Sequence, residues 1–424
     1  MKTVAKSLLG LLPLLLPCLV WAEEPAGLRI GGETGTALLG DSALAHLTLW
    51  ATTAQKLGEL EHVLAVSAPL RLVVRDATGG PNPAPTNPNC RSPALRCEDW
   101  DDRGEWTRIL RHWHLGSKSG GWQVQAGEVT AATIGHGSLV QRYFAGARFD
   151  RYRTGATAQI DAAAWGLQLL AGDVTAPHTF AGRAWLRPAR TTGAGTFAVA
   201  AQAGWDAAWD SDRPGTDQRA PRVGLDTEVT LWQDGPTRLQ AYADWLVAFA
   251  GGGGLHAGLD LRHAPAKGSK WSLQAEARLL RGQYRPVLLD PTSELDRLTG
   301  AGTPGNRSGF WSGAMASADV EVAKSFRWVA QVDWGERTGL GVLTWLTTES
   351  WEGLSLRLHA GQRWMQTRAD VTDVDRLYLA SQLRFAVSGP WFATTSVARR
   401  WLDRGGSVSP VWEGRLSAGA EWQW

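Results

Sequence analysis

The chain ends EGRLSAGAEWQW, residues 413–424, and the side chains in that stretch alternate. Leu416, Ala418, Ala420, Trp422 and Trp424 are apolar or small, with Arg415, Ser417, Gly419, Glu421 and Gln423 between them. Successive side chains of a strand point to opposite faces, so this is a strand with a different solvent on each side. A half-buried strand of a soluble protein satisfies the same pattern. The rest of the chain separates the two readings.

The alternation recurs well before the last strand. In WSLQAEARLLR (271–281), Trp271, Leu273, Ala275, Ala277 and Leu279 alternate with Ser272, Gln274, Glu276 and Arg278. In RLQAYADWLVAFA (238–250), Arg238, Gln240, Tyr242 and Asp244 oppose Leu239, Ala241, Ala243, Trp245, Val247 and Phe249. VGLDTEVTLW (223–232) sets Val223, Leu225, Val229 and Leu231 against Asp226, Glu228 and Thr230. FRWVAQVDW (326–334) sets Phe326, Trp328, Ala330, Val332 and Trp334 against Arg327, Gln331 and Asp333. A packed sandwich core cannot hold so many charges, whereas a water-filled lumen can.

The N-terminus is a different kind of segment. Lys2 and Lys6 precede an apolar run from Leu8 to Val20, and Ala22 precedes two glutamates. This is the layout of a secretory signal peptide over 1–22, cut after Ala22, which leaves 23–424 as the mature chain. A lipoprotein reading would use Cys18, but Pro17 stands where a small residue is wanted. No later stretch is long and apolar enough for a spanning helix. The chain has 43 Lys+Arg and 41 Asp+Glu, so loss of Lys2 and Lys6 leaves a formally neutral protein. Neutrality argues against a nucleic-acid partner. Cys90 and Cys97, close together in CRSPALRC, are expected to form a loop-closing disulfide in an oxidising compartment.

The connections carry the stronger signal. Backward from the C-terminus, the loop LDRGGSVSP is followed by a turn at Ser388 to Pro390, then by QTRADVTDVD and a turn near Ser350 to Gly353. GERTG, the turn at Lys324-Ser325 and the long loop from Gln283 to about Ser312 continue the series. Long loops at one end and short turns at the other mark a membrane-spanning barrel. About fourteen strands fit between Trp165 and Trp424. Upstream, candidate strands lie near 28–36, 43–51, 59–66, 69–77, 105–115, 121–130 and 156–162. Forward and backward counts disagree in direction around 140–190, so one segment there is not wall. A piece of 131–153 folded into the lumen resolves the conflict. At roughly 22 residues per strand and connection, the length predicts an all-β antiparallel transmembrane barrel of about 18 strands, with 16 the neighbouring even number.

With its signal peptide, amphipathic strands, alternating loops and terminal AGAEWQW, the chain resembles Gram-negative outer-membrane porin-type barrels. The resemblance implies insertion into outer-membrane lipid. It also implies that the barrel-assembly machinery reads the terminal strand with Trp422 and Trp424, Trp424 replacing a more usual Phe. It places the C-terminus in the periplasm and the long loops outside the cell.

The charged strand faces give the expected lumen: Asp226, Glu228, Arg238, Gln240, Asp244, Gln274, Glu276, Arg278, Arg327, Gln331 and Asp333, with Arg415 and Glu421. To these QRYFAGARFDRYRTG adds Arg142, Arg148, Asp150, Arg151 and Arg153, whose guanidinium groups can hold carboxylates, phosphates or sugar hydroxyls. Trp205, Trp245, Trp271 and Trp334 fall on apolar faces and are expected to meet lipid. His112 and His114 share a face but have no third ligand nearby, so no metal and no cofactor are expected. His136 and Ser138 in GHGSL invite a hydrolase reading, but no nucleophile elbow surrounds them and no catalysis is expected. Mixed charge suits neutral polar cargo. The leading expectation is export of polysaccharide with a periplasmic export protein at the turns around Lys324, Ala264 to Ser269 and Ser388. The alternatives are a general diffusion porin, an outer-membrane enzyme and a surface structural barrel.

Overall fold

A computed structural model describes residues 27–424 apart from 41, 76–99, 101–105, 118–119, 145–152, 176–178, 190–194, 207–218, 250, 283, 291–307, 323–324, 352, 374–376 and 405–406. The expected signal peptide, Cys90, Cys97, Lys324, Arg148, Asp150 and Arg151 therefore lie outside the described residues.

The wall opens with β1 (Gly27–Leu39), β2 (Ser42–Leu57), β3 (Leu60–Arg75), β4 (Leu110–Ser117) and β5 (Trp122–Gly127). A short pair follows, β6 (Ala132–Ile134) and β7 (Val140–Tyr143). The wall resumes with β8 (Gly155–Asp161), β9 (Trp165–Ala171), β10 (Thr179–Ala189), β11 (Phe197–Asp206) and β12 (Arg219–Asp234). Then come β13 (Thr237–Ala248), β14 (Gly252–His263), β15 (Lys270–Gly282), β16 (Phe310–Val322) and β17 (Phe326–Gly335). The last five are β18 (Gly339–Trp351), β19 (Leu354–Met365), β20 (Leu377–Ser388), β21 (Trp391–Arg404) and β22 (Ser407–Gln423).

Sequence neighbours pair antiparallel throughout, with one skip: β5 pairs β8, while β6 and β7 pair only each other. β22 returns to β1 in a register from Arg29↔Gln423 to Leu39↔Glu413, closing a 20-stranded ring. Closure leaves no edge strand, which a sheet in hydrocarbon requires.

Twenty strands correct the expected 18. The fourteen from Trp165 onward are present as read, and they lie closer together than the average of roughly 22 residues per strand that set the total. β1, β2 and β3 follow one another with residues 40–41 and 58–59 between them, so an average length per strand undercounts them. The candidates at 59–66 and 69–77 are one strand, β3, running through Pro69. β3 pairs β4 only from Leu60 to Val66, and at Pro69 it pairs β2 alone, so the missing N–H costs no second ladder. Several expected loops are also shorter. β18 starts at the end of GERTG, and β21 and β22 run into LDRGGSVSP, because pairing continues beyond the length the membrane needs.

Exposure alternates along the wall. β11 reads strictly exposed then buried, with Phe197, Val199 and Trp205 outward and Ala198, Gln202 and Asp206 inward. The outward set forms a belt including Leu225, Leu255, Leu259, Leu273, Val332, Val342 and Leu416. Trp205, Trp245, Trp334 and Trp412 stand outward near the long-loop rim. Trp165, Trp232, Trp328, Trp391 and Trp422 stand outward near the rim that carries both termini. Two aromatic girdles around an apolar belt are the outer face of a membrane barrel. Trp271 is half-buried at the terminal rim, stacked on its cross-strand partner His263 at 5.5 Å. No helix among the described residues is long and apolar enough to cross a membrane.

Candidate functional site

The lumen contains an apolar core. The chain leaves the wall after β5, turns back on itself as the β6–β7 hairpin and rejoins the wall at β8. Within the 131–153 stretch expected in the lumen, this hairpin packs Ile134, Leu139, Val140 and Tyr143 against the inward residues Leu170, Ala181, Leu246, Leu280 and Trp311. A second segment, 284–290, comes in from the long loop between β15 and β16 and adds Tyr284, Leu288 and Leu289 to the same cluster. The two are joined by backbone: Leu288 N–H donates to Leu139 O at 3.0 Å and Gln141 N–H to Leu289 O at 2.9 Å. Each fully buried leucine contributes roughly 1.5–3 kcal/mol, so hairpin and segment form one plug.

Polar contacts tie the plug to many strands of the wall. Gly135 N–H donates to Gln168 of β9 at 3.0 Å, Gln274 of β15 donates to His136 O at 2.7 Å, and Gln331 of β17 donates to Gln141 Oε1 at 3.2 Å. Arg222 of β12 donates to Arg285 O at 2.7 Å, while Asp290 accepts from Arg363 of β19 and from Arg285. Ala131 and Arg142, the two non-glycine residues with positive φ among those described, both lie in the hairpin segment. Backbone of that kind persists where the surroundings over-determine it.

Beneath the hairpin tip runs a buried charge network. Arg183 of β10 grips Asp226 of β12 through Nε at 2.9 Å and Nη2 at 2.6 Å, and reaches Glu228 at 3.3 Å. His136 lies flat on Tyr242 of β13 at 4.1 Å between ring centres. Tyr242 donates to Glu276 at 2.9 Å, and Arg278 and His256 hold the other oxygen of Glu276 at 2.5 and 3.0 Å. Ser138 Oγ donates to Asp244. Ser138 is wholly buried, and its bond ties the hairpin to β13.

On the terminal-rim side of the plug is a cavity of about 1070 Å³. Its roof is the hairpin, and its walls include Lys56, Glu61, His114, Gln159, Arg262 and His359. Arg327 is paired with Asp319 at 2.7 and 3.0 Å on its side, and the Arg142 guanidinium sits 5.3 Å over the ring of Trp345. His112 and His114 stack at 6.4 Å on the same wall.

The structure places Asp226, Gln240, Asp244, Glu276, Arg278, Gln331 and Asp333 inward and buried, and Glu228, Arg238, Gln274 and Arg327 inward and half-buried. It gathers Asp226, Glu228 and Asp244 around His136 and leaves Arg238, opposite Arg262, nearer the terminal rim. Arg153 is half-buried at the return to the wall. Arg183, Arg222, Arg363 and the segment 284–290 escaped the sequence reading. The one signal for that segment was the apolar run Val287-Leu288-Leu289 inside an otherwise polar loop.

A closed even-stranded antiparallel barrel with an apolar belt, two aromatic girdles and a charged interior is a porin-type barrel of the Gram-negative outer membrane. No family model and no curated protein matches the sequence. Among solved structures, the chain is similar to OpdK of Pseudomonas aeruginosa, crystallised with vanillate, at 11% identity over 95% of this chain and 99% of that one, TM-score 0.34. A BenF-like porin from Pseudomonas fluorescens Pf-5 follows at 10% identity, 95% and 99% coverage and TM-score 0.34. OccAB2 of Acinetobacter baumannii follows at 10%, 94% and 98%, TM-score 0.34. Overlap at that level leaves cargo and partners to the chain's own residues.

Proposed function

We propose that the protein is a plug-gated diffusion channel for small polar solutes. The observation that carries this reading is the packed plug: a dry cluster joins the hairpin and the segment 284–290 to the wall, and a cavity of about 1070 Å³ lies beneath it. A volume of that size accepts a small molecule, and its walls offer guanidinium, carboxylate, imidazole and amide groups together. Export of polysaccharide, the leading sequence-based expectation, requires a continuous polymer-wide path, which the plug occupies. The diffusion-porin alternative is therefore the better supported reading, and it needs no periplasmic export partner.

The test is planar-bilayer conductance of the mature chain beside a variant with 131–144 replaced by a short Gly-Ser linker. β5 and β8 pair each other without the hairpin, so the wall survives its removal. The expected result is small, brief openings in the intact protein that long polysaccharide does not block, and large steady openings in the variant. Large openings in the intact protein that polysaccharide blocks would restore the export reading.

A further inference from the structure

Asp226 and Asp244 stand directly opposite each other on β12 and β13. Both are inward, at 2% and 0% exposure. Like charges in directly opposed positions repel, and burial strengthens the repulsion. Arg183 hydrogen-bonds Asp226 and Glu228 and acts on Asp244 only through space. Two carboxylates thus face each other across buried neighbouring strands, and the Arg183 guanidinium is hydrogen-bonded to one of the two. The hairpin then brings in His136, 9% exposed. Its Nε2 lies 4.0 Å from Asp226 and 3.2 Å from Glu228. Asp244 uses one oxygen to accept from Ser138, while Oδ1 has no hydrogen-bond partner among the described residues.

We propose that His136, Asp226 and Asp244 form a divalent transition-metal site of the zinc class, which clamps the tip of the hairpin to the wall. One ligand atom from each lies within 4.8 Å of the other two. Zinc takes imidazole nitrogen and carboxylate oxygen at about 2.0–2.2 Å, so the three side chains close by rotation with little backbone movement. A carboxylate has about four acceptor sites; Arg183 uses two on Asp226 and Ser138 one on Asp244, which leaves both free to ligate. Gly135 and Gly137 flank His136 at φ +59° and +96°, a backbone few other residues adopt, and that conformation holds the ring against Tyr242. The ligands come from hairpin and wall together, so the ion binds only the seated plug. Metal therefore favours the closed channel. The metal-free expectation rested on His112 and His114; the present set joins residues far apart in the chain, where no spacing motif could show it.

That zinc closes the channel rests on the gating reading above, whereas binding can be measured without transport. The experiment is calorimetric titration of the detergent-solubilised, chelator-treated full chain with Zn²⁺, in the wild type, Asp244→Asn, His136→Gln and the double variant His112→Ala/His114→Ala. Asp244→Asn keeps a side-chain oxygen for Ser138 and removes one of the opposed charges, so the barrel keeps its fold. The expected result is about one tight ion per chain. Affinity should fall by roughly tenfold or more in Asp244→Asn and His136→Gln and stay unchanged in the double variant. Equal binding by Asp244→Asn, loss confined to the double variant, or no binding by the wild type would each overturn the proposal. In bilayers, Zn²⁺ should lower the opening frequency only where His136 and Asp244 are both present, and chelator should restore it. Silent bilayers in every protein alongside an intact zinc titration would sink the channel reading and leave the site standing.

Discussion

Arg183 shows how one side chain couples wall to plug. It is 6% exposed, stacked 5.2 Å over Trp185, bonded twice to Asp226 and placed against the hairpin at Gly135. Breaking a buried pair from one side strands the other charge and costs about 3–5 kcal/mol. Arg183→Ala should therefore loosen the hairpin tip before it harms the ring, because the ring is held by strand pairing all round. Hydrogen exchange of the amides in β6 and β7 should speed up while that of β12 and β13 holds, with Arg183→Lys between the two because an ammonium lacks the planar fork. Unchanged protection of the hairpin in Arg183→Ala would show that the pair does not hold the plug.

At the scale of elements, β6–β7 and the segment 284–290 are held to the wall by burial more than by secondary structure. β6 and β7 are three and four residues long. Leu288 and Leu289 are 0% exposed in a segment with one isolated bridge, Val140↔Leu289. Leu288→Asp sets an unpaired carboxylate in that dry cluster, which is strongly unfavourable. The expected outcome is a displaced plug in an intact barrel: higher open probability in bilayers, with an unchanged shift in electrophoretic mobility on boiling. The wall itself was legible from sequence, because period 2 assigns each residue of a strand to a face once a few are placed. Asp226, Asp244, Glu276, Gln331 and Asp333 were placed by parity alone. The strand count was less legible, since it leaned on an average length that strands joined by tight turns fall below. The plug's partners were not legible at all: His136 meets Asp226 and Asp244 only because the chain turns inward after β5, and no local pattern encodes where an inward hairpin lands.

For the whole molecule, the decisive contact is the seam. Every other strand pair joins sequence neighbours or spans the single hairpin excursion, whereas β1 and β22 pair residues from opposite ends of the chain, from Arg29↔Gln423 to Leu39↔Glu413. Loop closure over so long a stretch is slow and entropically costly, so the seam has to fit at the first encounter. It is close-packed at Gly35, where a Cβ would stand 2.1 Å from Leu416 O and 2.6 Å from Ser417 Cα, both of them backbone. No rotation of a side chain relieves that overlap. Leu28 and Trp424 then lock the terminal rim by exchanging backbone hydrogen bonds of 3.1 and 2.9 Å. Gly35→Val should therefore block closure while leaving each hairpin competent to form. After refolding into detergent, such a chain should migrate the same before and after boiling and give no channel openings. The matching substitution Gly58→Val, where a Cβ meets nothing within 4 Å, is strained by its φ of +63° yet lies away from the seam, so it should still give a closed barrel in lower yield. Equal recovery of closed barrel from both variants would mean that the β1–β22 fit does not limit assembly.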